Sequence, residues 1–587
     1  MKKSWISGFN KFLILAVLSV LAVSCGGSGG NGTDEPKKEK TKVKIKDAVS
    51  LKEELVIAIA QEFDSLNPMI TQMSAAEYIL AMTNRSLNNL SPELNIENHI
   101  AVSTPTLENG KAVIYEENGK RMIKCSWEIR PEAKWGDGTD VTGHDIKFTW
   151  TVGLNENVTI AERKSYKDIK KIEVDADNPK KFTVYQIARY DYFKRFGSPI
   201  LPKHLEEPVF NQYKDEPQGY EKNSNYVTNP DTPGLYCGPY LIKEVKLGSH
   251  VILEPNPHFY GKKPSFKRIT IKKISETSTL LLNLKNNNID MIAPVGLNFD
   301  DVLVFKRKCE EENLPYTVHI KEGLVYEHID LNLRNPILQD LRVRKALVYA
   351  LNREKLSEDF FEGKQAPAIH NIAPSDPAYI DDPEKFVFYY STRKAKKLLD
   401  EAGWKMQDDG YRYKDGKRLE FVLMTTAGNK IRSQVQVWLQ SEWKKVGIHI
   451  SIKNQNANNF FGKTVKRAEY PHMAMFAWLS LPDSTVRSTL HSNSIPTEKN
   501  SFSGSNSGGW KNAKVDSWID EFELELDLGK RIKIMQKILV EYSNDVPVIP
   551  LFYRTNSTVT PAKIKGLRIS GHNISEAMHV EDWYIEK

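Results

Sequence analysis

The sequence predicts a mixed α/β fold with open sheets, because helical and strand periods alternate along it. Three stretches carry that expectation. From Asp340, apolar residues fall at Leu341, Val343, Leu347, Ala350 and Leu351, one stripe of a helix. From Ile431, the set Val435, Trp438, Leu439, Trp443 and Val446 repeats at helical spacing. Gly447 follows, and Ile448, Ile450 and Ile452 then alternate as a strand. Between these helices, "YRYKDGKRLEFVL" at 411–423 reads as a hairpin about an Asp-Gly turn.

From the N-terminus, the first element is a leader. Lys2 and Lys3 precede an apolar run from Phe12 to Val23, and small residues precede Cys25. That pattern describes a secretory signal peptide over 1–24, and the run is too short to span a bilayer comfortably. Leu21-Ala22-Val23-Ser24-Cys25 resembles a bacterial lipobox, which implies a lipid on Cys25; Ala22 stands where Leu is commoner. "GGSGGNGTDEPKKEKTKVK" then has no apolar period, so 25–48 is expected to be a flexible tether. Its lysines, Lys37 to Lys46, are solvated or lie near anionic lipid.

The rest has the composition of a soluble protein, 27% charged and 40% hydrophobic over 587 residues. The formal charge of +7 falls to +4 without Lys2, Lys3 and Lys11. Basic and acidic residues are interleaved, so no nucleic-acid footprint is present. After Cys25, the remaining Cys125, Cys237 and Cys309 are odd in number, so at least one is unpaired or pairs between chains. Ile123, Cys125, Trp127 and Ile129 alternate on one strand face, which makes Cys125 a core residue.

"GDGTDVTGHDIKFTW" at 136–150 collects polar residues as an active-site loop would. Turn and cap chemistry account for them. "GDG" supplies a tight turn, and Thr142 followed three residues later by Asp145 is a capping box, with His144 solvated.

The same stretch, from Trp135, resembles the signature of bacterial extracellular solute-binding proteins of family 5, with Gly143 for the usual Ala and Gly136 where Ser is common. The likeness continues through "PILPKHL" at 199–205 and "GLYCGPYLIKEVKLGSHVILEPNPHFYGKKPSFKRITIKKI" at 234–274. It continues through "LLLNLKNNNIDM" at 280–291, "LNLRNPILQDLRVRKALVYALNREKL" at 331–356, "KLLDEAGW" at 397–404 and "WKKVGIHI" at 443–450. The resemblance implies a two-lobed, type II-like periplasmic-binding-protein fold, with discontinuous lobes and an extra subdomain. On that basis 49–95, 230–315 and 525–587 form the first lobe, 96–229 the extra subdomain and 316–524 the second lobe. The ligand would lie between the lobes, and closure would bury it.

The resemblance also implies the function. The chain would be the substrate-binding lipoprotein of an ABC importer, acting as a monomer. It would be lipid-anchored at the cell envelope on the periplasmic or extracellular face, and would pass a peptide-like solute to a permease and its ATPase. The alternatives are a non-peptide solute, such as a sugar or a metal chelate, and a receptor or chaperone without transport. Two stretches are implied to line the cleft. One is Gln72, Met73 and Ser74. The other is "MFAWLSLPDST" at 475–485, with Phe476, Ala477 and Trp478 offering main-chain groups to a peptide as an added strand. In peptide-binding relatives an Asp three residues after the Trp pairs with the peptide amine. Here that position is Leu481, so either Asp483 or another acid takes the role, or the ligand lacks a free amine.

An enzyme is the rival class. The chain has no His-Glu-x-x-His, no Gly-x-Ser-x-Gly and no phosphate loop, and His319 and His328 are not at metal-ligand spacing. No cofactor or metal is therefore expected.

Overall fold

A ten-stranded sheet runs through the molecule in the computed structural model. The structure describes residues 53–586 other than 62, 64, 72, 161–162, 191–198, 295, 298, 383–384, 457–458, 501, 503 and 572–575. The expected leader, the Cys25 lipid site, the tether and Gln72 lie outside the described residues.

At one end of the sheet His449–Ile452, Glu420–Met424 and Met473–Leu479 lie side by side. At the other end are Met291–Ile292, Glu54–Ile59, Arg268–Lys273, His250–Pro255 and Tyr240–Lys246. Two long antiparallel strands, Tyr316–Leu331 and Val548–Pro561, join the two ends. Tyr316 to Glu322 pair with Thr555 to Pro561, and Tyr326 to Asp330 pair with Val548 to Tyr553. Between them the register breaks, and an irregularity in a shared pair of strands is a natural bending point. Gly323 sits in the break, where a Cβ would come within 2.5 Å of the Arg554 carbonyl oxygen. This is the two-lobed binding-protein fold, with its lobes assembled from discontinuous segments.

Each lobe has its own core. Leu55, Ile57, Ile79, Leu253 and Ile269 belong to the first, and Leu347, Leu399, Phe421 and Trp443 to the second. The expected return to the first lobe at 525 needs correction. The helix Leu528–Asp545 buries Ile534, Met535, Ile538, Leu539 and Tyr542 in the second core, and only the far half of Val548–Pro561 rejoins the first lobe. The physical reason is the helix's continuous apolar face, which finds its complement on the second lobe.

The extra subdomain carries a four-stranded antiparallel sheet in the order Ala112–Glu117, Lys120–Glu128, Lys181–Ile187, Ile169–Val174. Cys125 points into its core, and Cys125, Cys237 and Cys309 are all buried free thiols. The helix Gly143–Leu154 begins with the expected capping box. Asp145 Oδ2 accepts from the Thr142 N–H at 2.8 Å, and Oδ1 accepts from the Lys203 N–H at 2.9 Å. The polar corner thus fixes a helix start to the "ILPKH" segment, and His144 is exposed.

The hairpin at 411–423 is shorter than its pattern. Only Arg412–Lys414 and Lys417–Arg418 pair, about Asp415 and Gly416, both at positive φ. Glu420–Met424 instead runs parallel to His449–Ile452 in the large sheet, because its apolar residues are needed in the second core. Gly403 and Gly447 follow their helices at φ +87° and +85°, as their positions predict.

Candidate functional site

The strand Met473–Leu479 pairs along one edge with Val325–Leu331, setting Trp478 opposite Tyr326 beside the register break. Its other edge is paired only at its start, where Met473 and Ala474 meet Leu423 and Met424. The Thr425 hydroxyl donates to the Met475 carbonyl at 2.7 Å. Beyond that point, among the described residues, the edge from Phe476 to Leu479 has no strand partner. An unpaired edge is a template for an extended chain, and it lies where the lobes join.

The expected site residues fall in three environments. Phe476 is buried, with its ring 4.5 Å from that of His328 and 5.4 Å from that of Trp478. Ala477 and Trp478 are half-buried along the unpaired edge. On the first lobe, Met73 is the N-cap of the helix Ser74–Thr83, is half-buried and packs against the lobe's core, while Ser74 is exposed. Leu481 is 42% exposed.

Asp483 is committed elsewhere. Its Oδ1 accepts from Arg531 Nε at 3.1 Å and its carbonyl from Arg531 Nη2 at 3.1 Å, while its own N–H donates to Asp376 Oδ2 at 2.7 Å. Its backbone is held in the left-handed region at φ +54°. A carboxylate spent on a buried guanidinium is a poor choice for a second cation.

The charges around the wall are arranged unevenly. Glu327, buried in the long strand, accepts from Arg432 Nε at 2.7 Å and from Arg554 Nη2. Burial alone would raise its pKa, but the two guanidiniums outweigh burial and hold it below the usual range. Arg432 is oriented from the first turn of the helix Lys430–Lys444, where its N–H bonds the Asn429 cap. In the first lobe, Glu576 is fully buried beneath the helix Ser74–Thr83 with a phenol as its partner, Tyr78 Oη donating at 3.2 Å. Burial pushes its pKa up to about 7.

Several cleft-side residues escaped the sequence reading. Arg189 of the extra subdomain bonds Asp168 at 2.9 Å and reaches Glu523 of the second lobe at 3.4 Å. Burial raises Glu523, yet Arg487 and Arg189 leave its pKa lowered. The ring of Tyr190 lies 4.1 Å from the Arg531 guanidinium carbon. The subdomain therefore touches the second lobe beside Asp483. Nothing local in the sequence marks these pairs. His328 and Asp330 did leave a signal: they are polar residues in phase with Tyr326 on one face of the strand. Among the described residues, no group of three His, Cys, Asp or Glu side chains is placed to hold a metal ion.

Against this geometry, the chain matches the bacterial extracellular solute-binding proteins, family 5 Middle, over residues 123–496. It is 26% identical to the oligopeptide-binding protein AppA of Bacillus subtilis, over 98% of both chains. It superposes with TM-score 0.74 on the oligopeptide-binding protein of Thermus thermophilus complexed with a pentapeptide, at 25% identity over 90% of this chain and 96% of that one. A similar fold with TM-score 0.73, at 23% identity over 91% and 99%, belongs to NikZ of Campylobacter jejuni in complex with Ni(L-His).

Proposed function

Since the chain belongs to the bacterial extracellular solute-binding proteins of family 5, we propose that it binds a peptide between its lobes and hands it to the permease and ATPase of an ABC importer. The unpaired edge from Phe476 to Leu479 carries this reading, because it offers a peptide main chain an added-strand partner beside the Trp478 ring. The full-length likeness to oligopeptide-binding proteins supports it. The site residues follow: Phe476 to Trp478 form the wall, Met73 and Ser74 contribute from the first lobe, and Leu481 lies at the rim. The register break at Gly323 to Val325 serves as the hinge, and ligand bridging the lobes shifts the population toward the closed form.

Lipid on Cys25 holds the protein at the envelope, two or more acyl chains giving stable anchoring where one does not. Cys25→Ala is expected to leave the membrane fraction; retention after detergent-free washing rejects the anchor. The ligand is tested by mass spectrometry of what co-purifies with the mature protein. Short peptides support the proposal, and a metal chelate, sugar or other solute rejects it.

A further inference from the structure

The extra subdomain meets the second lobe outside the two long strands. Arg189 follows the subdomain strand Lys181–Ile187, and its Nη2 lies 3.4 Å from Glu523 Oε2 in the last turn of the helix Ala513–Leu524. Only 8% of the Arg189 side chain and 7% of the Glu523 side chain are exposed. A carboxylate at a helix C-terminus opposes the helix dipole, so a cation there is welcome. Beside this pair, the Tyr190 ring lies 4.1 Å from the guanidinium carbon of Arg531, near the start of the helix Leu528–Asp545. Both helices are built into the second core, through Ile519, Phe522, Ile534 and Ile538. The subdomain is built onto the first, because Phe148 and Val152 of its helix Gly143–Leu154 pack there. A bend at Gly323 to Val325 that turns one lobe away from the other parts this contact.

The ties are graded: each charge keeps a closer partner on its own side. Arg189 donates to Asp168 of the subdomain at 2.9 Å. Glu523 accepts from Arg487 Nε at 2.9 Å and from the Thr485 hydroxyl at 2.8 Å, both in the second lobe. Arg531 donates to Asp483 Oδ1 at 3.1 Å and to the Phe522 carbonyl. Parting the two sides therefore strands no buried charge. A pair whose loss would strand one is a permanent tie, as Glu327 is to Arg432. A pair whose members are satisfied on both sides can open and close.

We propose that Arg189 and Tyr190 form a reversible latch, by which the extra subdomain holds the second lobe closed independently of the ligand. Its contribution adds to that of a ligand bridging the lobes. The empty protein then samples the closed form, and bound ligand leaves more slowly, because two sets of contacts part before it is free. The inference rests on the hinge reading above. It does not rest on the ligand's chemistry, since no residue of the wall from Phe476 to Leu479 takes part.

The test measures the distance between the lobes in the Cys25→Ala chain, stripped of co-purified solute. Leu247→Cys in the first lobe and Val437→Cys in the second place a pair of spin labels at exposed positions, while Cys125, Cys237 and Cys309 are buried. Without ligand, this parent chain should show a population at the distance of the closed form. Arg189→Gln should lower the ratio of closed to open by about tenfold or more, the scale of a charged hydrogen bond. Tyr190→Ala should lower it by a smaller factor, and it decides where Arg189→Gln fails to fold. A saturating pool of random pentapeptides should close all three proteins. A parent chain that is wholly open without ligand overturns the latch, and so do variants that keep the parent's distribution. If the variants open the lobes and the pool shifts no distribution, the latch stands and the peptide reading falls.

Discussion

Glu327 in the lobe junction and Glu576 in the first lobe are both fully buried, and they ionise in opposite directions. Glu327 sits between Arg432 and Arg554 and is held below its ordinary pKa. Glu576 has no guanidinium among the described residues, only neutral donors such as the Tyr78 hydroxyl, and burial pushes it up to about 7. The desolvation is alike and the partners differ. Burial alone therefore says little about a carboxylate's role: a paired one is a structural tie, and an unpaired one stores a proton.

The largest effect that would break this contrast is on the paired side. Glu327→Gln leaves the buried Arg432 without its counter-charge, and about 3–5 kcal/mol of stability should be lost at neutral pH. Denaturant unfolding measures it. A loss within experimental error would mean that the two guanidiniums need no carboxylate. The wild-type contribution is present above the unfolded pKa of about 4.3 and is lost as pH falls through the lower folded value.

Glu576 should show the opposite slope. The folded state keeps its proton up to about pH 7 while the unfolded chain releases it near about 4.3. Stability therefore falls as pH rises between those values, by about 3 kcal/mol in all. Glu576→Gln removes that slope, so the variant should be the more stable protein at pH 8 and show little difference at pH 4. Parallel pH–stability curves for the two proteins would show that the carboxyl does not hold its proton.

Asp483 sharpens the comparison as an intermediate case, with one guanidinium. Asp483→Asn should cost about 1.5–3 kcal/mol of stability, the worth of a charged hydrogen bond. Peptide affinity should stay as it is, because the carboxylate is already held by Arg531. Weaker binding of free-amine peptides with unchanged stability would assign the amine to Asp483.

The smallest effect falls on a residue with no charge to pair. Trp478→Ala should weaken peptide binding by about 1–3 kcal/mol by calorimetry while the protein stays folded. Loss of folding without a separable binding defect would place Trp478 in the core rather than on the wall.

The sequence by itself determined whatever is decided within a few residues. Thr142 and Asp145 cap their helix, and Gly403 and Gly447 end helices because only a residue tolerant of positive φ fits there. Cys125 faces a core because strand side chains alternate. The family motifs add the two-lobed fold. The tertiary structure alone decided which charges meet, since Asp483 finds Arg531 48 residues away and Glu327 finds Arg554 across 227. It also decided that the helix Leu528–Asp545 packs in the second lobe and that Glu420–Met424 leaves its hairpin for the large sheet. The reason is one of range. Backbone dihedrals and caps are set by neighbours in sequence, whereas desolvation and ion pairing depend on which surfaces the finished fold brings together.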